Sequence, residues 1–140
     1  PGSCSESAYP YKAADGTCTA SSCSKALAAG TVTGYNSVTA STAGLDSALN
    51  AQPVSVTMKA DNTWQSYRSG VVSEDCGFLA RPNHAIIAVG YDGDNYKIRN
   101  SWGASWGEGG YIRVSKATSN PFCIWSTTPF VPTISADVTV

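Results

Sequence analysis

The hydrophobic positions of this chain recur mostly with a period of two. After Pro53, Val54 and Val56 alternate with Ser55 and Thr57, which predicts a strand over Pro53–Lys59. His84-Ala-Ile-Ile-Ala-Val-Gly-Tyr91 is apolar on both faces, so a strand buried on both sides is expected there. Asp92-Gly93 follows as a hairpin-turn pair. The chain returns through Asn95–Trp102, and Gly110–Ser115 reads as a further strand. Helical spacing is clear at one place. Leu45, Ala48 and Leu49 share a face over Thr42–Gln52, with Ser41 or Thr42 as the cap. Pro1–Gly34, rich in Ser, Ala, Gly and Cys, reads as loops held by bridges. Many short strands, one or two short helices and frequent glycines predict a mostly β chain forming a small, mainly antiparallel barrel.

Composition narrows the class of protein. The 140 residues are 42 % hydrophobic and 14 % charged, too apolar for disorder and too uncharged for a coiled coil. No stretch approaches the ~20 apolar residues of a membrane span. Nine basic and ten acidic side chains leave a net charge of −1, which gives no electrostatic footprint for nucleic acid. With one histidine no multi-His metal site can be built, and no cofactor is implied. The five cysteines, Cys4, Cys18, Cys23, Cys76 and Cys123, form no C-x-x-C pair, and their number suits an oxidising compartment. The odd count leaves a free thiol or half a bridge to something outside the chain. The start at Pro1, without Met or an apolar leader, implies that residues ahead of it were removed or are missing.

Two stretches carry chemistry: Asn83-His84-Ala85-Ile-Ile-Ala-Val-Gly-Tyr91 and Asn100-Ser-Trp-Gly-Ala-Ser-Trp-Gly-Glu-Gly-Gly-Tyr-Ile-Arg113. Taken singly, His84 reads as readily as a surface or core histidine, Asn100 as a turn residue and Trp102 as core filler. Their joint occurrence resembles the His and Asn segments of the papain/cathepsin family of cysteine peptidases. Tyr9-Pro10-Tyr11, Gln52–Val56 and Cys76-Gly77 are similar to that family in the same order. The resemblance implies a barrel lobe over residues 1–133 and an unmatched tail over 134–140. It implies His84 as the catalytic base and acid and Asn100 as its orienter. Trp102 would cover their contact and Trp106 would pack nearby as a structural residue. A specificity pocket would draw on Thr57, Pro82, Asn83, Ala85 and Thr128, and with no acidic residue among them a preference for apolar side chains is expected.

The chemistry accounts for these residue types. A cysteine nucleophile works as a thiolate, which a neighbouring imidazolium stabilises. The same imidazolium later protonates the leaving amine. An asparagine carbonyl oxygen fixes the ring without adding charge.

The family's Cys-Gly-Ser/Ala-Cys-Trp/Tyr nucleophile signature does not occur in this sequence. Family spacing puts that cysteine about 46 to 66 residues ahead of Pro1. The expected partner is therefore an N-terminal lobe carrying the nucleophile, together with a peptide or protein substrate. The resemblance implies a Cys76–Cys123 bridge and a Cys18 that pairs with the other lobe, leaving Cys4 and Cys23 for each other. Local pairing of Cys18 with Cys23 and a free Cys4 stays open. Two other readings also stay open: an inactive relative serving as a structural or binding protein, and a relative with a serine nucleophile. The expected location is extracellular or lysosomal/vacuolar.

Overall fold

The computed structural model describes residues 2–136. They fall into two units, 2–35 with 132–136, and Asn36–Val131. In chain order the elements are β1 (Ser3–Cys4), β2 (Lys25–Leu27), β3 (Val32–Ser37), α1 (Thr42–Leu49) and β4 (Val54–Met58). They continue with α2 (Asn62–Ser66), β5 (Val71–Val72), β6 (His84–Asp92), β7 (Asn95–Arg99), β8 (Tyr111–Ser115) and β9 (Phe130–Ile134). A single 3-10 turn, Ile124–Ser126, precedes β9. The fold is mostly β with two short helices, as the pattern predicts. Pro1 and residues 137–140, most of the expected tail, lie outside the described residues. Ile134 ends β9, and Ser135 donates to the Thr31 carbonyl at 2.9 Å.

In the first unit β1 and β2 form a two-stranded antiparallel pair, closed by a Cys4–Cys23 disulfide. The bridged-loop reading of this region therefore holds, with short strands added. Seven strands make the main sheet in the order β3-β9-β4-β6-β7-β8-β5, and the β5–β8 pairing is parallel.

The second unit is built around the pleat of β4 and β6. Val54 faces Ala88, Val56 faces Ile86 and Met58 faces His84 on one side of the sheet. Those three β4 residues are almost wholly buried, as are Ile86 and Ala88. The other side carries Ser55 opposite Ile87 and Thr57 opposite Ala85. Ile87 is 41 % exposed, which corrects the expectation of a strand buried on both faces. An apolar run shows that a strand can be buried, not which face finds a covering layer. Here the core covers one face only.

Tyr96 and Ile98 of β7 and Ile112 and Val114 of β8 complete the core with Leu45 of α1. The Ser41 hydroxyl caps α1 by accepting from the Gly44 N–H at 3.1 Å. The helix stops at Leu49, three residues short of the predicted Gln52. Pro53 biases the residue before it away from helical backbone, and Asn50 becomes the cap. The β6–β7 loop is Gly93-Asp94, one residue later than the expected Asp92-Gly93. Asp92 still pairs with Asn95, and Gly93 takes the positive φ of +49°.

Candidate active site

β6 opens on His84 and β7 runs out at Arg99, so the imidazole and Asn100 emerge at the same end of adjacent strands. The ring nitrogen Nε2 lies 2.8 Å from Asn100 Oδ1. That oxygen also accepts from the Ser101 backbone N–H at 2.8 Å. A backbone donor needs an oxygen, so the carboxamide is oriented with Oδ1 toward the ring. Nε2 must then carry a proton and donate, and Nδ1 is left as the nitrogen that can take up or release one. Asn100 is buried at 8 % exposure, and its Nδ2 is buried without an acceptor. The amide group is thus held by its oxygen alone.

Aromatic rings bound the imidazole. Trp102 lies against it with centroids 5.1 Å apart, and Trp64 meets it edge-on at 6.3 Å. Trp106 bridges the two indoles, 5.6 Å from Trp102 and 5.4 Å from Trp64. Its Nε1–H donates to the Trp64 carbonyl at 3.2 Å. Trp106 is buried and Trp102 is 40 % exposed, so Trp106 sits in the core while Trp102 forms a partial lid.

Trp64 is held by α2, whose Asp61 cap accepts from the Trp64 N–H at 3.2 Å. Asp61 and Glu74 flank Lys59 at 2.8 and 2.7 Å, and both hold its ammonium pKa above the ordinary value. On the other side Glu108 pins the Asn100–Tyr111 loop. It takes Arg113 in a two-point pair at 2.7 and 2.9 Å and accepts from the Gly70 N–H at 2.9 Å. The Arg113 guanidinium and that amide hold the Glu108 carboxyl down at about 2. Tyr67 donates to the Gly70 carbonyl at 2.7 Å, and its ring lies 5.5 Å from Trp106. The sequence reading missed Trp64, Tyr67 and the Glu108–Arg113 pair as supports. Glu108 and Arg113 stand in the quoted motif, but the Gly70 partner lies 38 residues from Glu108.

Of the five pocket candidates, Thr57, Asn83 and Ala85 lie at this end of the sheet, beside the Met58–His84 pair. Thr57 and Ala85 oppose each other on the open face, and the Thr57 hydroxyl is hydrogen-bonded to that of Thr127, the neighbour of Thr128. Asn83 turns its side chain to the Ala60 backbone, accepting from its N–H at 2.7 Å. Pro82 is half-buried, and Thr128 is exposed. Cys76 and Cys123 form a disulfide, and Cys18 is exposed and free. The Cys4–Cys23 bridge decides against local pairing of Cys18 with Cys23. Among the described residues no group of three His, Cys, Asp or Glu side chains could hold a metal ion. Among the described residues no helix is long and apolar enough to cross a membrane.

A family model described as papain family cysteine protease matches residues 1–133. Cysteine endopeptidase Rep1 of Oryza sativa subsp. japonica is 45 % identical over 79 % of this chain and 31 % of its own length. Ananain of Ananas comosus is 36 % identical over 99 % of this chain and 41 % of its own. Stem bromelain of the same plant is 36 % identical over 90 % of this chain and 58 % of its own. The solved bromelain protease from Ananas comosus, in complex with the E64 inhibitor, superposes with a TM-score of 0.79. It is 35 % identical, over 96 % of this chain and 64 % of that one. The chain therefore spans less than two thirds of the length of these relatives.

Proposed function

Because the chain belongs to the papain family of cysteine proteases, we propose that it is the His/Asn-bearing half of a cysteine endopeptidase, acting on a nucleophile that another polypeptide segment supplies. The observation that carries this reading is the Nε2–Oδ1 hydrogen bond of 2.8 Å, which leaves Nδ1 as the working nitrogen.

Nδ1 takes the proton of the thiol, giving a thiolate–imidazolium pair. The thiolate attacks the scissile carbonyl carbon, and a tetrahedral intermediate forms. On its collapse the C–N bond breaks, and the Nδ1 proton passes to the leaving amine. Nδ1, now a base, draws a proton from water as that water attacks the thioester, and the thiol is restored. Throughout, Asn100 Oδ1 holds the Nε2–H and adds no charge of its own.

The nucleophile-bearing lobe is the proposed partner. Its docking surface is the open face of β9, β4 and β6, where Phe130 of β9 and Ile87 of β6 are 39 % and 41 % exposed. Cys18 is the proposed disulfide link to it, since the other four cysteines pair within the chain. Thr57, Pro82, Asn83, Ala85 and Thr128 contribute to a pocket for an apolar substrate side chain. A cleavage profile dominated by Arg or Lys at that position contradicts this. Two internal disulfides suit an oxidising compartment, and the proposed location is extracellular or lysosomal/vacuolar.

Intact mass of the native material, with and without reduction, tests the reading in the presence of an epoxide inhibitor of thiol peptidases. The expected result is a companion released by reduction, a label on a cysteine outside these 140 residues, and loss of hydrolysis. Persistent hydrolysis with no label points to a serine nucleophile. Neither hydrolysis nor label makes the protein a structural or binding relative.

A further inference from the structure

Phe122 and Cys123 are consecutive residues with φ of +47° and +64°, a left-handed conformation that residues other than glycine adopt at a cost. Cys123 has a reason to sit there, since it is bridged to Cys76. Phe122 makes no such bond. Its backbone is fixed by an N–H that donates to the Glu74 carbonyl at 3.0 Å and a carbonyl that accepts from the Lys59 N–H at 2.8 Å. Its side chain is wholly buried and meets the Trp64 indole edge-on, with centroids 5.7 Å and planes 70° apart.

Trp64 carries a second cost. It is wholly buried, and its Nε1–H has no hydrogen-bond partner among the described residues. A buried donor without an acceptor is destabilising, and leucine or phenylalanine at this position would avoid the loss. A left-handed backbone under one ring and an unpaired N–H on the next mark a place where folding alone does not account for the side chains. The group that Trp64 meets in turn is the imidazole of His84, edge-on at 6.3 Å with planes 73° apart.

The hydrogen bond to Asn100 fixes one atom of that imidazole, Nε2, and leaves the ring able to swing about the contact. A swing moves Nδ1, the nitrogen that meets the thiol. Trp102 is 40 % exposed and free to yield on its open side, whereas Trp64 is packed by Phe122 and by Trp106, whose ring lies 5.4 Å away. We infer that Trp64 and Phe122 are positioning residues for His84: Phe122 seats the indole, and the indole sets the plane of the imidazole and so the direction of Nδ1. Both are wholly buried, so they act through His84 and not on the substrate. This rests on the peptidase reading and adds to it a device outside the His84–Asn100 pair.

The test uses the complete native protein and the variants Trp64→Leu, Phe122→Leu and Trp64→Phe, which keep apolar bulk. Turnover of one peptide substrate is measured beside the NMR order parameter of the His84 ring C–H bonds, assigned by comparison with His84→Gln. Denaturant titration checks that each variant is folded in the assay. In Trp64→Leu kcat should fall about tenfold, within the range that misplacement of a catalytic group produces, with KM unchanged. The ring order parameter should fall with it. Phe122→Leu should show a smaller loss of both, and Trp64→Phe should restore most of each; if Trp64→Leu does not fold, Phe122→Leu carries the test. Folded variants that lose stability yet keep kcat and ring order overturn the proposal, because the two residues would then be core filler. A change in KM alone overturns it too, and an unchanged Phe122→Leu overturns the seating role of Phe122. If the wild type cleaves nothing, the peptidase reading fails and ring order decides the positioning by itself. A loss of order in Trp64→Leu that Trp64→Phe reverses upholds it, and equal order in all the proteins overturns it.

Discussion

The indole of Trp102 lies tilted over the imidazole of His84, with planes 34° apart and centroids separated by 5.1 Å. An indole packed this way would keep water from competing for the Nε2–H if it covers the contact to Asn100, the role that the family resemblance implies for Trp102. In Trp102→Ala that proton should exchange with solvent much faster, observed as loss of the imidazole N–H resonance in proton NMR. Trp102→Phe should retain it. If the resonance is equally sharp in all three proteins, Trp102 does not shield the bond.

Asn100→Ala removes the oxygen that accepts from both the His84 Nε2–H and the Ser101 N–H among the described residues. The ring is then free to rotate. A misplaced catalytic group costs about a hundredfold in rate, and that is the expected drop in kcat. KM should move little, because the carboxamide faces the ring and not the substrate. A drop confined to KM would make Asn100 a binding residue instead.

The Glu108–Arg113 pair gives stability a defined acid limit. The Glu108 carboxyl titrates at about 2 in the fold against an ordinary 4.5, so the folded state favours its charged form. The contribution is complete above pH 4.5, declines as pH falls toward 2 and is absent below. Chemical denaturation of wild type and Glu108→Gln should therefore show its full gap at pH 7 and almost none at pH 2. A gap independent of pH would assign the loss to the Gly70 hydrogen bond alone.

The Cys76–Cys123 bridge spans 47 residues and anchors the segment that presents His84. Chain entropy for a loop of that length gives about 4 kcal/mol. Replacing both cysteines with Ala should cost about that much in denaturant unfolding. It should also broaden the His84 ring resonances before unfolding, because the segment loses one anchor. A cost without broadening would mean that the Asn83 contacts hold the segment unaided.

Some of this architecture is written locally and some is not. β4, β7 and β8 are legible because apolar residues alternate within each, and β6 because its apolar run is continuous. The length of α1 is not, because its end depends on Pro53 and on packing of Leu49 as well as on the apolar face. β9 is masked by Pro132, which ordinarily argues against an interior strand. α2 has five residues, too few to show a period. The His84–Asn100 pair is legible because hairpin geometry converts a separation of 16 residues into contact. Trp64 is not, since only the folded sheet carries α2 beneath the imidazole. The cysteine pairing within the first unit is likewise a matter of which loops close, and spacing alone leaves more than one pairing of Cys4, Cys18 and Cys23 open.

Gly90 of β6 and Gly103 and Gly107 of the loop between β7 and β8 separate backbone strain from steric conflict. Gly90 has no positive φ, and an added Cβ would meet nothing within 4 Å, so Gly90→Ala should be close to neutral. Gly103 has equal space but a φ of +82°, so Gly103→Ala should cost about 1 kcal/mol in strain. Gly107 combines a φ of +54° with a Cβ position 2.6 Å from the Tyr111 carbonyl oxygen and 2.9 Å from Tyr67 Cδ1. Neither neighbour can yield freely. The carbonyl accepts the Glu108 N–H, and the Tyr67 hydroxyl is held by Gly70. Gly107→Ala should therefore cost about 3 kcal/mol or more, the range of strain plus overpacking. It should also displace Trp106, changing the tryptophan fluorescence of the folded state. Thermal melts of the three variants check the order. If Gly103→Ala and Gly107→Ala lose equal stability, the close approach of Tyr111 and Tyr67 contributes nothing, and the turn is held by its dihedral angles alone.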